Sequence, residues 1–133
     1  MSTREIGIIM NGVTGRMGMN QHLIRSILAI MKQGGVPLSD GTTLIPKPLL
    51  TGRSDRKLER LAKVHGPDAI GKPLDWTTDL DSVLNNKDYE IFFDASGTLQ
   101  RVDFIKRAID AGKAIYCEKP TATNTQDALA LAE

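Results

Sequence analysis

Two kinds of apolar pattern alternate along the chain. Short, nearly unbroken apolar runs at Ile6 to Met10, Leu49 to Gly52, Glu90 to Asp94 and Ala114 to Cys117 have the length and continuity of strands buried on both faces of a sheet. Between these runs the apolar residues recur at helical spacing. From Arg16 to Gln33, Met17, Ile24, Ile27, Leu28 and Met31 form one greasy face; beyond Ser54, a predicted cap, Leu58, Leu61 and Ala62 form another. Beyond Thr98, a second predicted cap, Val102, Ile105, Ala108 and Ile109 form a third, and Gly112 stands where that helix wants a left-handed residue to end it. Weaker patterns predict a short strand at Asp75 to Thr77 and a brief helix from Asp79 to Asn85 carrying Leu80, Val83 and Leu84. Pro37, Gly41, Pro46 and Pro48 make Gly34 to Pro48 read as a long loop. Asn124, followed by Asp127, resembles an N-cap ahead of a final helix with Ala128, Leu129, Leu131 and Ala132.

Five strands alternating with helices predict an α/β fold: a doubly wound parallel sheet of the Rossmann type, with right-handed crossovers and helices on both faces. Ligands of such sheets lie beyond the carboxyl ends of the strands, where the strand order reverses. Four segments follow strands and so share that edge: Gly12 to Gly18, Gly52 to Ser54, Ala95 to Thr98 and Glu118 to Pro120.

The first of these carries the candidate chemistry. Gly12, Val13, Thr14, Gly15, Arg16, Met17 and Gly18 join an apolar run to a helical pattern, the sequence form of a strand, a phosphate-holding turn and a helix N-terminus. Gly12 permits a sharp turn, Gly15 a close approach of a diphosphate, and Gly18 tight packing of the helix on the strand. The turn has one residue more than the usual G-x-G-x-x-G, so a glycine-rich connection without a ligand is the alternative reading. At the tip of the second strand no carboxylate stands ready for the ribose hydroxyls of NAD. Arg53 offers a fork for a 2′-phosphate and Ser54 a hydroxyl, which favours NADP over NAD. Arg16 is a second candidate for that phosphate.

Length and charge narrow the function class. The chain has 133 residues, enough for one domain, and a net charge of +1, so neither nucleic acid nor an anionic membrane is an expected partner. Cys117 is the single cysteine and cannot form an internal disulfide, which fits the cytoplasm. No stretch approaches the roughly 20 apolar residues of a membrane span. His22 and His65 have no cysteine or histidine partner at ligand spacing, so no metal site is expected. Asp94, ending a strand, faces either the cleft or a backbone partner, and Trp76 either flanks an adenine or anchors the weak third strand.

The segment Ala111-Gly112-Lys113-Ala114-Ile115-Tyr116-Cys117-Glu118-Lys119-Pro120 resembles the A-G-K-x-V-x-x-E-K-P signature of the glucose-fructose oxidoreductase and inositol 2-dehydrogenase (Gfo/Idh/MocA) family. That resemblance implies an N-terminal nicotinamide-binding domain joined to a C-terminal substrate domain, with hydride transfer to or from a sugar, cyclitol or related small molecule. It further implies a catalytic role for Lys119, with Glu118 and Pro120 beside it in the cofactor site. Ala95, Ser96 and Gly97 stand where the family contacts its cofactor, although Gly97 replaces a proline of the family's T-P-N-x-x-H pattern and Arg101 its histidine. On this reading residues 1–133 are the nucleotide-binding part of a longer enzyme that forms a homo-oligomer at full length. Two alternatives stay open: a dihydrodipicolinate reductase-like enzyme, whose turn Gly15-Arg16-Met17-Gly18 resembles, and a non-catalytic NADP(H)-sensing module.

Overall fold

In a computed structural model, which describes residues 2–14, 18–117, 129 and 131–132, the apolar runs form strands of one sheet. These are β1 (Thr3–Asn11), β2 (Val36–Pro37), β3 (Thr43–Thr51), β4 (Asp75–Thr77), β5 (Tyr89–Asp94) and β6 (Ala114–Cys117). Four helices intervene: α1, π-wound over Gly18–Leu28 and α-wound over Ala29–Lys32; α2 (Asp55–Ile70); α3 (Leu80–Leu84); and α4 (Thr98–Asp110). β1 lies centrally, with β3 on one side and β5 then β6 on the other, all parallel. Strand order therefore reverses between β1 and β5, the place where such sheets bind ligands.

The expected loop from Gly34 to Pro48 is where the prediction fails. It contains β2 and the first six of the nine residues of β3, and β2 runs antiparallel to β3, so the sheet is mixed. Pro46 and Pro48 sit inside β3 opposite Ile6 and Ile8 of β1. A proline lacks the N–H that a ladder uses, which is why two of them read as a loop. β2 and β4 then share the far edge of β3 in tandem, β2 against Thr43 and Leu44 and β4 against residues 49–51.

Register decides what each face buries. Ile9 pairs with Leu49 and Phe92, and all three point toward α3 and α4, where Leu84 and Ala108 complete a buried cluster. One step along, Met10 pairs with Leu50 and Phe93, and these point the other way, onto Leu23, Leu28, Leu58, Leu61 and Ala62 of α1 and α2. Each fully buried side chain of this size contributes about 1.5–3 kcal/mol. Leu23, absent from the expected face of α1, is buried with Leu28 because a π-wound helix bonds i to i+5 and brings residues five apart onto one side.

The helix ends follow their side chains. The Ser54 hydroxyl accepts from the Lys57 amide at 3.3 Å, capping α2 as expected. Thr98 is instead the first residue of α4, whose cap position is Gly97 with no side-chain bond. Gly112 follows the end of α4 at φ 80°. On α4, Ile105 and Ala108 are buried, but Ile109 is 44% exposed, against expectation. Trp76 packs on the α1–α2 cluster, as an anchor for β4. Leu129, Leu131 and Ala132 are helical; Asn124 and Asp127 lie outside the described residues. Among the described residues no helix is long and apolar enough to cross a membrane.

Candidate cofactor site

The row of residues after the two apolar rows is polar. Asn11, Thr51 and Asp94 are the last residues of β1, β3 and β5, paired side by side in register, and all three are buried. Alternation points them toward the α4 face. There Arg101, in the first turns of α4, is itself buried and donates from Nε to Asp94 Oδ2 at 3.0 Å. The Asn11 amide donates to Asp94 Oδ1 at 2.9 Å and accepts from the Thr51 hydroxyl at 3.0 Å; the Ser96 hydroxyl donates to Asp94 Oδ2 at 2.8 Å. Five side chains, from three strands, a helix and the turn after β5, thus close on one another through four bonds. Among the described residues no buried side-chain polar atom lacks a partner.

Asn11 and Ser96 of this layer line a cleft of about 420 Å³, within the usual range for small-molecule sites. Gly12 and Thr14 form one wall and Ala95, Ser96 and Gly97 the facing one; Gly52 and Arg53 close one side. Gly12 leaves the strand at φ 80°, and an added Cβ would lie 2.4 Å from the Ser96 amide nitrogen. The two walls therefore meet at their base, and only glycine fits there. The Gly12 amide donates to the Thr51 carbonyl at 3.3 Å and the Ala95 amide to the Asn11 carbonyl at 2.9 Å. Over Gly97 nothing lies within 4 Å of where a Cβ would stand.

At the outer end of the cleft, Arg53 meets Gln100. With the Gln100 amide turned so that both groups are satisfied, its oxygen accepts from Nη2 at 3.2 Å and Nη1 at 3.3 Å. Leu80 and Phe104 present apolar surface to the cleft, and Arg107 binds Asp81 to join α3 to α4 behind them. A bond from the Thr42 amide lowers the pKa of the Asp40 carboxyl, one from Lys32 lowers that of Asp68, and burial raises that of the Tyr89 phenol and lowers that of the Lys113 ammonium.

Of the residues expected at the site, Gly12, Thr14, Arg53, Ala95, Ser96 and Gly97 come together around this cleft. Val13 turns its side chain into the core, leaving only its backbone for a ligand. Ser54 caps α2 as an acceptor, which leaves its O–H able to donate. Gly15, Arg16, Met17, Glu118, Lys119 and Pro120 lie outside the described residues, and Gly18 opens α1. Asp94 takes neither of its two expected roles, being locked to Arg101 instead. Asn11, Gln100 and Arg101 were not anticipated. A signal existed for the first, since three apolar runs each end in one polar residue, Asn11, Thr51 and Asp94. Cys117 is half-buried at the end of β6, and among the described residues no group of histidines, cysteines and carboxylates is placed to hold a metal.

A family described as oxidoreductases with an NAD-binding Rossmann fold matches residues 7–133. A D-xylose dehydrogenase of Paenarthrobacter nicotinovorans is 47% identical over 130 residues, spanning 98% of this chain and 32% of that protein. Levoglucosan dehydrogenase, solved with NADH and levoglucosan, superposes with a TM-score of 0.74 at 21% identity, over 96% of this chain and 31% of that one. A 3-ketoreductase from Actinomadura kijaniata, solved with NADP and TDP-benzene, superposes with a TM-score of 0.63 at 16% identity, over 96% and 32%. The chain thus spans about a third of the length of these relatives.

Proposed function

The chain belongs to the Gfo/Idh/MocA oxidoreductase family, and on that premise we propose that it is the nicotinamide-nucleotide-binding part of a sugar dehydrogenase, with NADP as the preferred cofactor. The observation that carries this reading is the cleft at the β1–β5 reversal, walled by the Gly12 turn and the 95–97 turn, with Arg53 at its outer end. The residues present suit a dinucleotide. A tight glycine turn leads toward a helix N-terminus, Thr14 lines the cleft, and an arginine stands where a ribose phosphate would arrive. When bound, NADP(H) supplies the hydride.

The chain's own residues bind and orient. Arg53, steadied by Gln100, presents two parallel N–H groups to a 2′-phosphate. In this reading Lys119 hydrogen-bonds the reacting oxygen of the substrate and stabilises negative charge as it develops there. The D-xylose dehydrogenase relative makes a pentose or similar small sugar the first substrate to try.

Cofactor preference is tested by fluorescence titration with NADPH and NADH. Arg53→Asp is expected to weaken NADPH binding at least tenfold and to leave NADH within about threefold, since a tenfold loss corresponds to about 1.4 kcal/mol. Equal loss of both cofactors would remove the proposed role of Arg53. For the chemistry, Lys119→Ala in the complete enzyme is expected to lower turnover by two orders of magnitude or more while cofactor affinity changes little, the loss of one such stabilising donor being worth about 10²–10³ in rate. Turnover at the level of the unaltered enzyme would refute the assignment.

A further inference from the structure

Arg101 has two jobs at once. Its Nε donates to Asp94 Oδ2 at 3.0 Å and its Nη2 to the Ser96 carbonyl at 2.7 Å. These two acceptors flank Ala95, whose own amide is held by the Asn11 carbonyl at 2.9 Å, so the wall of the cleft opposite Gly12 is pinned at consecutive residues. The guanidinium and the carboxylate are almost fully enclosed, with side-chain exposures of 4% and 0%. Enclosing such a pair is a poor way to add stability, because removing two charges from water costs about as much as their attraction returns. What a planar fork adds is geometry: two N–H directions fixed relative to each other, which a flexible ammonium does not reproduce.

We infer that Arg101 is a positioning residue for the cofactor: through Asp94 and the Ser96 carbonyl it fixes the 95–97 turn at the separation from Gly12 that a dinucleotide needs. This rests on the cleft being the dinucleotide site. It goes further by giving the task to a buried side chain that is not among the residues lining the cleft. The base of the gap is already at its closest approach, an added Cβ on Gly12 lying 2.4 Å from the Ser96 nitrogen and 2.7 Å from the Ala95 carbonyl carbon. A turn released from Arg101 has room to move only away from Gly12, and its amides then leave the cofactor.

The test is Arg101→Lys, which keeps a cation opposite Asp94 but cannot also span to the Ser96 carbonyl, with NADPH and NADH affinities and thermal unfolding all measured on the same protein. A second variant, Asp94→Asn with Arg101→Leu, leaves no buried charge unpaired and serves if the lysine variant does not fold. Either folded variant is expected to bind both cofactors about tenfold more weakly and by the same factor, because the walls flank the shared part of the two molecules. Affinity within twofold of the unaltered protein, whatever the unfolding temperature does, would show Arg101 to be a packing residue and overturn the inference. Failure of the unaltered protein to bind either cofactor would overturn the site itself, and the inference with it.

Discussion

Asp94→Ala is expected to destabilise the protein by about 3–5 kcal/mol, the cost of breaking a buried ion pair from one side. The carboxylate is wholly buried and accepts from Asn11, Ser96 and Arg101 at 2.8–3.0 Å. Its removal leaves a buried guanidinium without its counter-charge and two further donors without an acceptor. Against a typical total of about 5–15 kcal/mol, the loss is roughly a fifth of the stability or more. Urea unfolding reads it as a lowered midpoint at unchanged slope. Asp94→Asn should cost less, because an amide still accepts from Asn11. A loss below about 1 kcal/mol for Asp94→Ala would mean that the polar row at the strand ends does not hold the cleft's base together.

Gly12→Ala has the largest expected effect on binding. At φ 80° an alanine is strained by about 1–2 kcal/mol, and its Cβ would stand 2.4 Å from one backbone atom of the facing turn and 2.7 Å from another. No flexible side chain is available to give way. Relief comes only by parting the two walls, and the expected result is a loss of NADPH affinity of a hundredfold or more, about 2.7 kcal/mol, together with a lower unfolding temperature. Isothermal titration checks the first and a thermal scan the second. Full affinity in a folded Gly12→Ala protein would mean that the dinucleotide does not pass between these walls.

Much of this was legible before any coordinates. β4 and β6 fall at the predicted positions although both are only partly buried, and β5 was legible because Ile91-Phe92-Phe93 is the unbroken apolar stretch that a central parallel strand needs. Gly12 was recognisable because its task, a positive φ at a crowded turn, excludes every other residue. β2 and the start of β3 were not legible, since local chemistry argues against strand at Pro37, Pro46 and Pro48 and only pairing with β1 and between the two strands overrides it. Arg101 was visible only as a mismatch to a family pattern. Its partner Asp94 lies seven residues away on another element, and their meeting depends on sheet register and on the packing of α4, neither of which a single sequence displays.

A crystal of the protein grown with NADPH would show whether the dinucleotide lies at the β1–β5 edge. The expected density has the pyrophosphate against the backbone of residues 12–14, its far side toward the 95–97 turn, the 2′-phosphate on Arg53 and the nicotinamide ring directed toward Lys119. Cofactor density away from the β1–β5 edge, or a 12–14 turn closed over the cleft with the cofactor excluded, would contradict it.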